Sequence, residues 1–154
     1  MNYSEYKEIR KKLTRVVIST DMALHAEHMK KMKAITQNDS FDVSDQENKL
    51  FLMEMCLHTS DLTNPSKLWF ESYKWSCLVN EEFFVQGDRE LELGIPVNNL
   101  TDRKSTNLAT SQLGFINFVV KPTIEVFRDY LPKVQINCDN LISNIKKWET
   151  MKQE

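Results

Sequence analysis

LFLMEMCLHTSDLTNPSKLW, residues 50–69, sets the terms on which the rest of the chain is read. Leu50 to Leu57 is almost wholly apolar and predicts a mostly buried helix. That helix runs into His58 and Asp61, and Asn64-Pro65 then breaks it. A carboxylate taken out of water costs several kcal/mol unless it is hydrogen-bonded or held by a cation. Asp61 is therefore expected to be buried with something offsetting its charge. Asn64 reads as an N-cap and Pro65 as the first residue of the helix that follows.

Outward from this stretch, chain breakers are few. Glycine occurs only at 87, 94 and 114, and proline only at 65, 96, 122 and 132. Long helices are the natural consequence. Ile9, Leu13, Val16, Thr20 and Leu24 recur at helical spacing, predicting one amphipathic helix, or two in line, over residues 3–36. A polar loop at 37–44 leads to Ser44 and Glu47, which form a capping box for the Leu50 helix. The helix opened by Asn64-Pro65 is expected to stop at Gly87, with a short helix from there to Gly94. A loop follows, and Asp102 caps a helix over 103–120 with a kink or break near Pro122. Val134, Cys138, Leu141, Ile145 and Trp148 form one stripe on a last helix at 133–154. The fold class is all-α, a multi-helix bundle.

Composition narrows the function. With 154 residues, 41% hydrophobic and 27% charged, the chain suits one globular domain or part of a larger one. A net charge of −2 offers no broad basic face, so nucleic acid is not an expected partner. Cys56, Cys77 and Cys138 are an odd number without a paired spacing and read as reduced thiols in an intracellular, cytoplasmic protein. No apolar run reaches membrane-spanning length in this segment, although an anchor outside it stays open.

Two groups carry chemistry. Asp61 is either a helix cap, a core hydrogen-bonding group or a metal ligand. In the later helix Leu108, Gln112, Phe115 and Val119 share a face. Gln112 within that apolar stripe either bonds a neighbour or faces the edge of a planar polar ligand stacked on Phe115. His25 and His28, in HAEH, read as solvated surface, and NDSFDVSDQEN lacks the glycine and ligand spacing of a calcium loop.

Taken together, TDMALH (20–25), HTSDLTNPSKLW (58–69), EEFFVQGDRELELGIP (81–96), DRKST (102–106) and SQLGFINFVVKP (111–122) resemble one family. It is the class I cyclic nucleotide phosphodiesterases, whose catalytic domain is of the HD type. The resemblance is strongest over 13–128 and implies the C-terminal half of that domain. It implies hydrolysis of cAMP or cGMP to the 5′-monophosphate at a two-metal site, zinc beside magnesium or manganese. On this resemblance Asp61 matches a metal ligand and His58 a histidine behind the metal site. Gln112 matches the purine-binding glutamine, Phe115 the stacking ring and Val79 the opposite wall. Asn64 matches a purine-side position, while Phe83, Leu62, Trp75 and Leu100 match pocket-lining positions. Met22 matches the methionine near the phosphate.

The resemblance also marks what these residues lack. The family's remaining metal ligands and its general-acid histidine belong to upstream motifs, so the missing N-terminal half is an expected partner and the isolated chain is expected to be inactive. The rival expectation is a non-catalytic helical module that binds a nucleotide or a protein.

Overall fold

The computed structural model describes residues 1–37 and 41–153. Among the described residues the α-helices are α1 (Tyr3–Ile18), α2 (His25–Thr36), α3 (Gln46–Asp61), α4 (Trp69–Glu92), α5 (Leu108–Phe115), α6 (Lys121–Tyr130) and α7 (Gln135–Gln153). No strand occurs among the described residues, as expected of an all-α chain. No helix among them is long and apolar enough to cross a membrane. Residues 38–40 of the expected polar loop lie outside the described residues.

Two compact units emerge, one of Met1–Leu62 with Thr123–Pro132, the other of Thr63–Pro122 with Lys133–Glu154. In the first, Asn2 and Glu5 close a reciprocal capping box that starts α1. The expected single or in-line helix over 3–36 is instead broken. Ser19 Oγ turns back onto Val16 O and Thr20 Oγ1 onto Val17 O. Such side-chain bonds compete with the helix ladder. Asp21 then accepts from Ala23 N to restart the chain in a 3₁₀ turn ahead of α2. Asp45, not Ser44, caps α3 by accepting from Asn48 N, because Ser44 is occupied with Asp42. Leu50, Phe51, Glu54, Met55, His58 and Thr59 form the buried stripe of α3, whereas Leu57 and Met53 stay exposed. Arg15 of α1 pairs with the buried Glu54.

In the second unit, Asn64-Pro65 opens only a 3₁₀ turn (Asn64–Ser66), and α4 starts at Trp69. Gly87 does not end α4. The helix runs through it to Glu92 and stops at Gly94, the one positive-φ residue (φ 68) among the described residues. Ile95 N bonds to Glu90 O and Gly94 N to Leu91 O, the paired pattern of a glycine-terminated helix. Gly87 serves a different end, since a Cβ there would lie 2.0 Å from the backbone oxygen of Thr101. The loop at 95–107 is thus laid directly on α4. Thr101 Oγ1 bonds Glu90, and Arg103 makes a fork to Glu81 and a third bond to Asp88 while lying over the Phe84 ring. Gly87→Ala is expected to destabilise the chain by about 1–3 kcal/mol through overpacking against backbone. Alanine's better helix propensity, about 1 kcal/mol, opposes that loss, so an unchanged or raised denaturation midpoint would contradict the close approach.

Asn107, not Asp102, caps α5 by accepting from Thr110 N. Asp102 holds only a turn through Lys104 N and Ser105 Oγ. Between α5 and α6, Ile116–Val120 widens to a π-helical turn just before Pro122, which has no N–H to give to a regular helix. Cys138, Leu141, Asn144 and Trp148 are the buried residues of α7, so the expected stripe is present with an asparagine inside it.

Candidate functional site

On α4 the usual amphipathic logic is inverted. Its buried residues are Ser72, Ser76, Asn80 and Gly87, all small or polar. Its large apolar residues Trp75, Val79 and Phe83, spaced by four, are each more than a third exposed. α5, which packs on α4, repeats the arrangement. Ala109 and Leu113 are buried, whereas Leu108 and Gln112 are half-buried and Phe115 is exposed. The face read from the sequence as an apolar stripe is therefore the open one. Leu100, on the loop that Arg103 pins down, is exposed as well.

Beside these apolar surfaces runs a polar chain. Ser76 Oγ donates to Gln112 Oε1 at 3.0 Å, and Asn64 Nδ2 donates to Ser76 Oγ at 3.4 Å. The Gln112 carbonyl is thereby engaged and its amide N–H₂ is left to donate elsewhere. Asn64 Oδ1 is buried and has no partner. The structure thus brings Asn64 and Gln112 together through Ser76, which sequence reasoning passed over. The available signal was the serine spacing, with Ser72 and Ser76 one helical turn apart on the side of α4 opposite to hydrophobic expectation.

The other expected site residues lie in the first unit. Asp61 is the last residue of α3 and is exposed, not buried. There it meets the negative end of the helix dipole, an unfavourable place for a carboxylate without a cation. Leu62 is half-buried and Met22 exposed. His58 is 1% exposed and fully engaged. A backbone carbonyl can only accept, so His58 Nδ1–H donates to Ser19 O at 3.0 Å. His58 Nε2 is then the acceptor for His25 Nδ1–H at 2.9 Å.

His28 meets the His58 ring edge-on at 5.5 Å, and its Nδ1 is buried without a partner. The reading of His25 and His28 as solvated surface is therefore corrected. The break at Ser19–Asp21 turns α2 so that its first turn lies against α3, which the periodicity of an unbroken helix could not convey. No group of three or more His, Cys, Asp or Glu among the described residues could hold a metal ion. Both ring nitrogens of His58 are occupied, by Ser19 O and His25.

Burial pushes the His58 imidazole below its ordinary value of 6.5; the Ser19 hydrogen bond and Asp61 oppose this, and His28 adds to it. Burial, then His58 and His28, lower His25 from the same value. A folded histidine with a lowered value favours the neutral form, so the unfolded chain takes up protons first. The stability supplied by the pair is complete above pH 6.5 and is lost as pH falls below it. Thermal midpoints measured on both sides of that pH should fall on the acid side, and a flat profile would contradict the neutral pair.

A model of the 3′5′-cyclic nucleotide phosphodiesterase family matches residues 1–141. The chain belongs to that family. It is 40% identical over 134 residues to the dual specificity calcium/calmodulin-dependent 3′,5′-cyclic nucleotide phosphodiesterase 1C of Mus musculus, covering 87% of this chain and 18% of that protein. The 1B protein of Bos taurus is 40% identical over 130 residues, covering 84% of this chain and 23% of its own. Among solved structures, LmjPDEB1 in complex with IBMX superposes with a TM-score of 0.91 at 29% identity, over 99% of this chain and 46% of that one. The chain thus spans about a fifth of the length of those curated relatives.

Proposed function

We propose that this chain is the purine-binding part of an enzyme that hydrolyses 3′,5′-cyclic nucleotides to 5′-monophosphates. Family membership supports the reaction class. The observation that carries the reading is the Asn64–Ser76–Gln112 chain beside exposed Phe115, Val79, Phe83, Trp75 and Leu100. An amide with free donors next to an open aromatic surface suits the edge and face of a flat base. Zinc with magnesium or manganese would supply an activated hydroxide and charge neutralisation at the phosphate. Asp61 is the metal ligand proposed in this chain, with the remaining ligands and the general acid proposed to come from an upstream half as partner. His58, clamped by Ser19 and His25, supports the α3 end that carries Asp61.

IBMX, an alkylated xanthine, is a flat purine, and the LmjPDEB1 structure is a complex with it. It is therefore a direct probe of the slot. The chain is expected to bind IBMX. Gln112→Ala should weaken that binding by about 1–3 kcal/mol, the cost of leaving polar groups unpaired. Phe115→Ala should cost a similar amount, about 1–3 kcal/mol, through lost stacking. In the complete enzyme both should raise KM more than they lower kcat, because these contacts are made alike in ground and transition states. IBMX titrations of the three proteins check the slot. Equal affinities, or no binding at all, would remove the purine reading.

A further inference from the structure

α7 carries three asparagines on one face, at 137, 140 and 144, and all three reach the turn that holds Asn64. Asn144 is 1% exposed, and its Nδ2 donates to both Pro65 O and Lys67 O at 2.8 Å. Asn140 Nδ2 donates to Ser66 O at 3.2 Å, and Asn137 Nδ2 to Ser66 Oγ at 3.2 Å. A single 3₁₀ turn has no helix ladder to satisfy its carbonyls. Pro65 and Ser66 are buried, so their carbonyl oxygens need donors. The amide of Asn144 is suited to the task because it has two N–H donors for two carbonyls.

The bonds continue beyond the turn. Asn64 immediately precedes Pro65, Asn64 bonds Ser76, and Ser76 bonds Gln112. We infer that Asn144 is a positioning residue for the purine slot, setting the orientation of the Gln112 amide through the turn, Asn64 and Ser76. The inference rests on the reading of Gln112 as the purine contact. The family match ends at residue 141, so Asn144 lies outside it. The face of α7 that bears the asparagines makes the slot's geometry depend on a helix that contributes no side chain to the slot.

α7 also packs directly on α5, so loss of Asn144 could disturb Gln112 through packing alone. A double-mutant cycle separates the two routes. The probes are the Gln112 side-chain N–H₂ resonances of the ligand-free chain and its IBMX affinity. Asn144→Ala is expected to move the Gln112 resonances and to weaken IBMX binding by about three- to tenfold, the scale of coupling within one hydrogen-bond network. In a Ser76→Ala background the same substitution should move neither further. Because Asn144 is buried, Asn140→Ala, at a half-buried position, provides a second variant with a smaller shift of the same resonances. Gln112 resonances unmoved by both variants would overturn the inference. So would an Asn144→Ala effect of equal size with and without Ser76. If the resonances respond through Ser76 while IBMX fails to bind, the positioning holds and the purine reading falls.

Discussion

Asp61→Ala, made in the complete enzyme, is expected to lower kcat by about 10²–10³-fold or more, because a metal's charge stabilisation is worth several kcal/mol. The same change should leave folding intact or improve it. Asp61 is exposed at the C-terminal end of α3, where its charge opposes the helix dipole. Removing a carboxylate from such a position gains about 0.3–1 kcal/mol at the surface. The two effects have opposite signs, and that opposition is the diagnostic. A structural aspartate would lose stability and activity together, whereas a ligand kept in an unfavourable place would lose activity alone. Steady-state kinetics beside a denaturation curve of the same variant decide it. A kcat within about threefold of the parent, or a collapsed fold, would remove Asp61 from the metal site.

Trp148→Ala should have the largest effect on stability, about 3–5 kcal/mol. The side chain is fully buried on α7, with the Trp69 ring edge-on at 4.9 Å and Tyr73 at 5.7 Å. Those two rings belong to the first turns of α4, so Trp148 fastens the start of that helix. Lys147 lies over the outer ring, Trp69, at 5.1 Å. Trp148 Nε1 is buried with no hydrogen-bond partner. Trp148→Phe deletes that unpaired donor while keeping an aromatic ring, so its loss should be well below that of alanine. Urea midpoints of the two variants check the order, and equal losses would mean that the indole nitrogen is satisfied.

The exposed residues of α4 explain why part of the site could not be read by hydrophobicity. Trp75, Val79 and Phe83 have the spacing of a core stripe, and by pattern alone the helix should bury them. The chain buries Ser72, Ser76 and Asn80 instead. On the proposed reading α4 lines the purine slot, and such a helix must keep an apolar face open for the ligand and pack its opposite side closely against neighbours. Small residues permit that close packing, as Gly87 does against Thr101. The serine spacing marks Ser76 in the sequence, but its partner does not show there, since Ser76 meets Gln112 across 36 positions of sequence.

Helix content, the break before Asn64-Pro65, the α7 stripe and the identity of Asp61, Gln112 and Phe115 as chemically unusual were all present in the sequence. They depend on local properties, namely breaker spacing, periodicity and residue type. The positions at which helices ended depended on more. Gly87 is a poor helix former, yet α4 runs through it to Glu92 and stops at Gly94; what requires a glycine at 87 is the backbone of Thr101 passing over it. Asp61 was expected inside because its helix is apolar, and it lies outside because the buried stripe of α3 ends at His58 and Thr59. His25 and His58 are 33 positions apart, and their hydrogen bond exists only because the chain turns at Ser19–Asp21. Contacts between residues distant in sequence are set by which faces meet in space, and a one-dimensional pattern holds no term for that meeting.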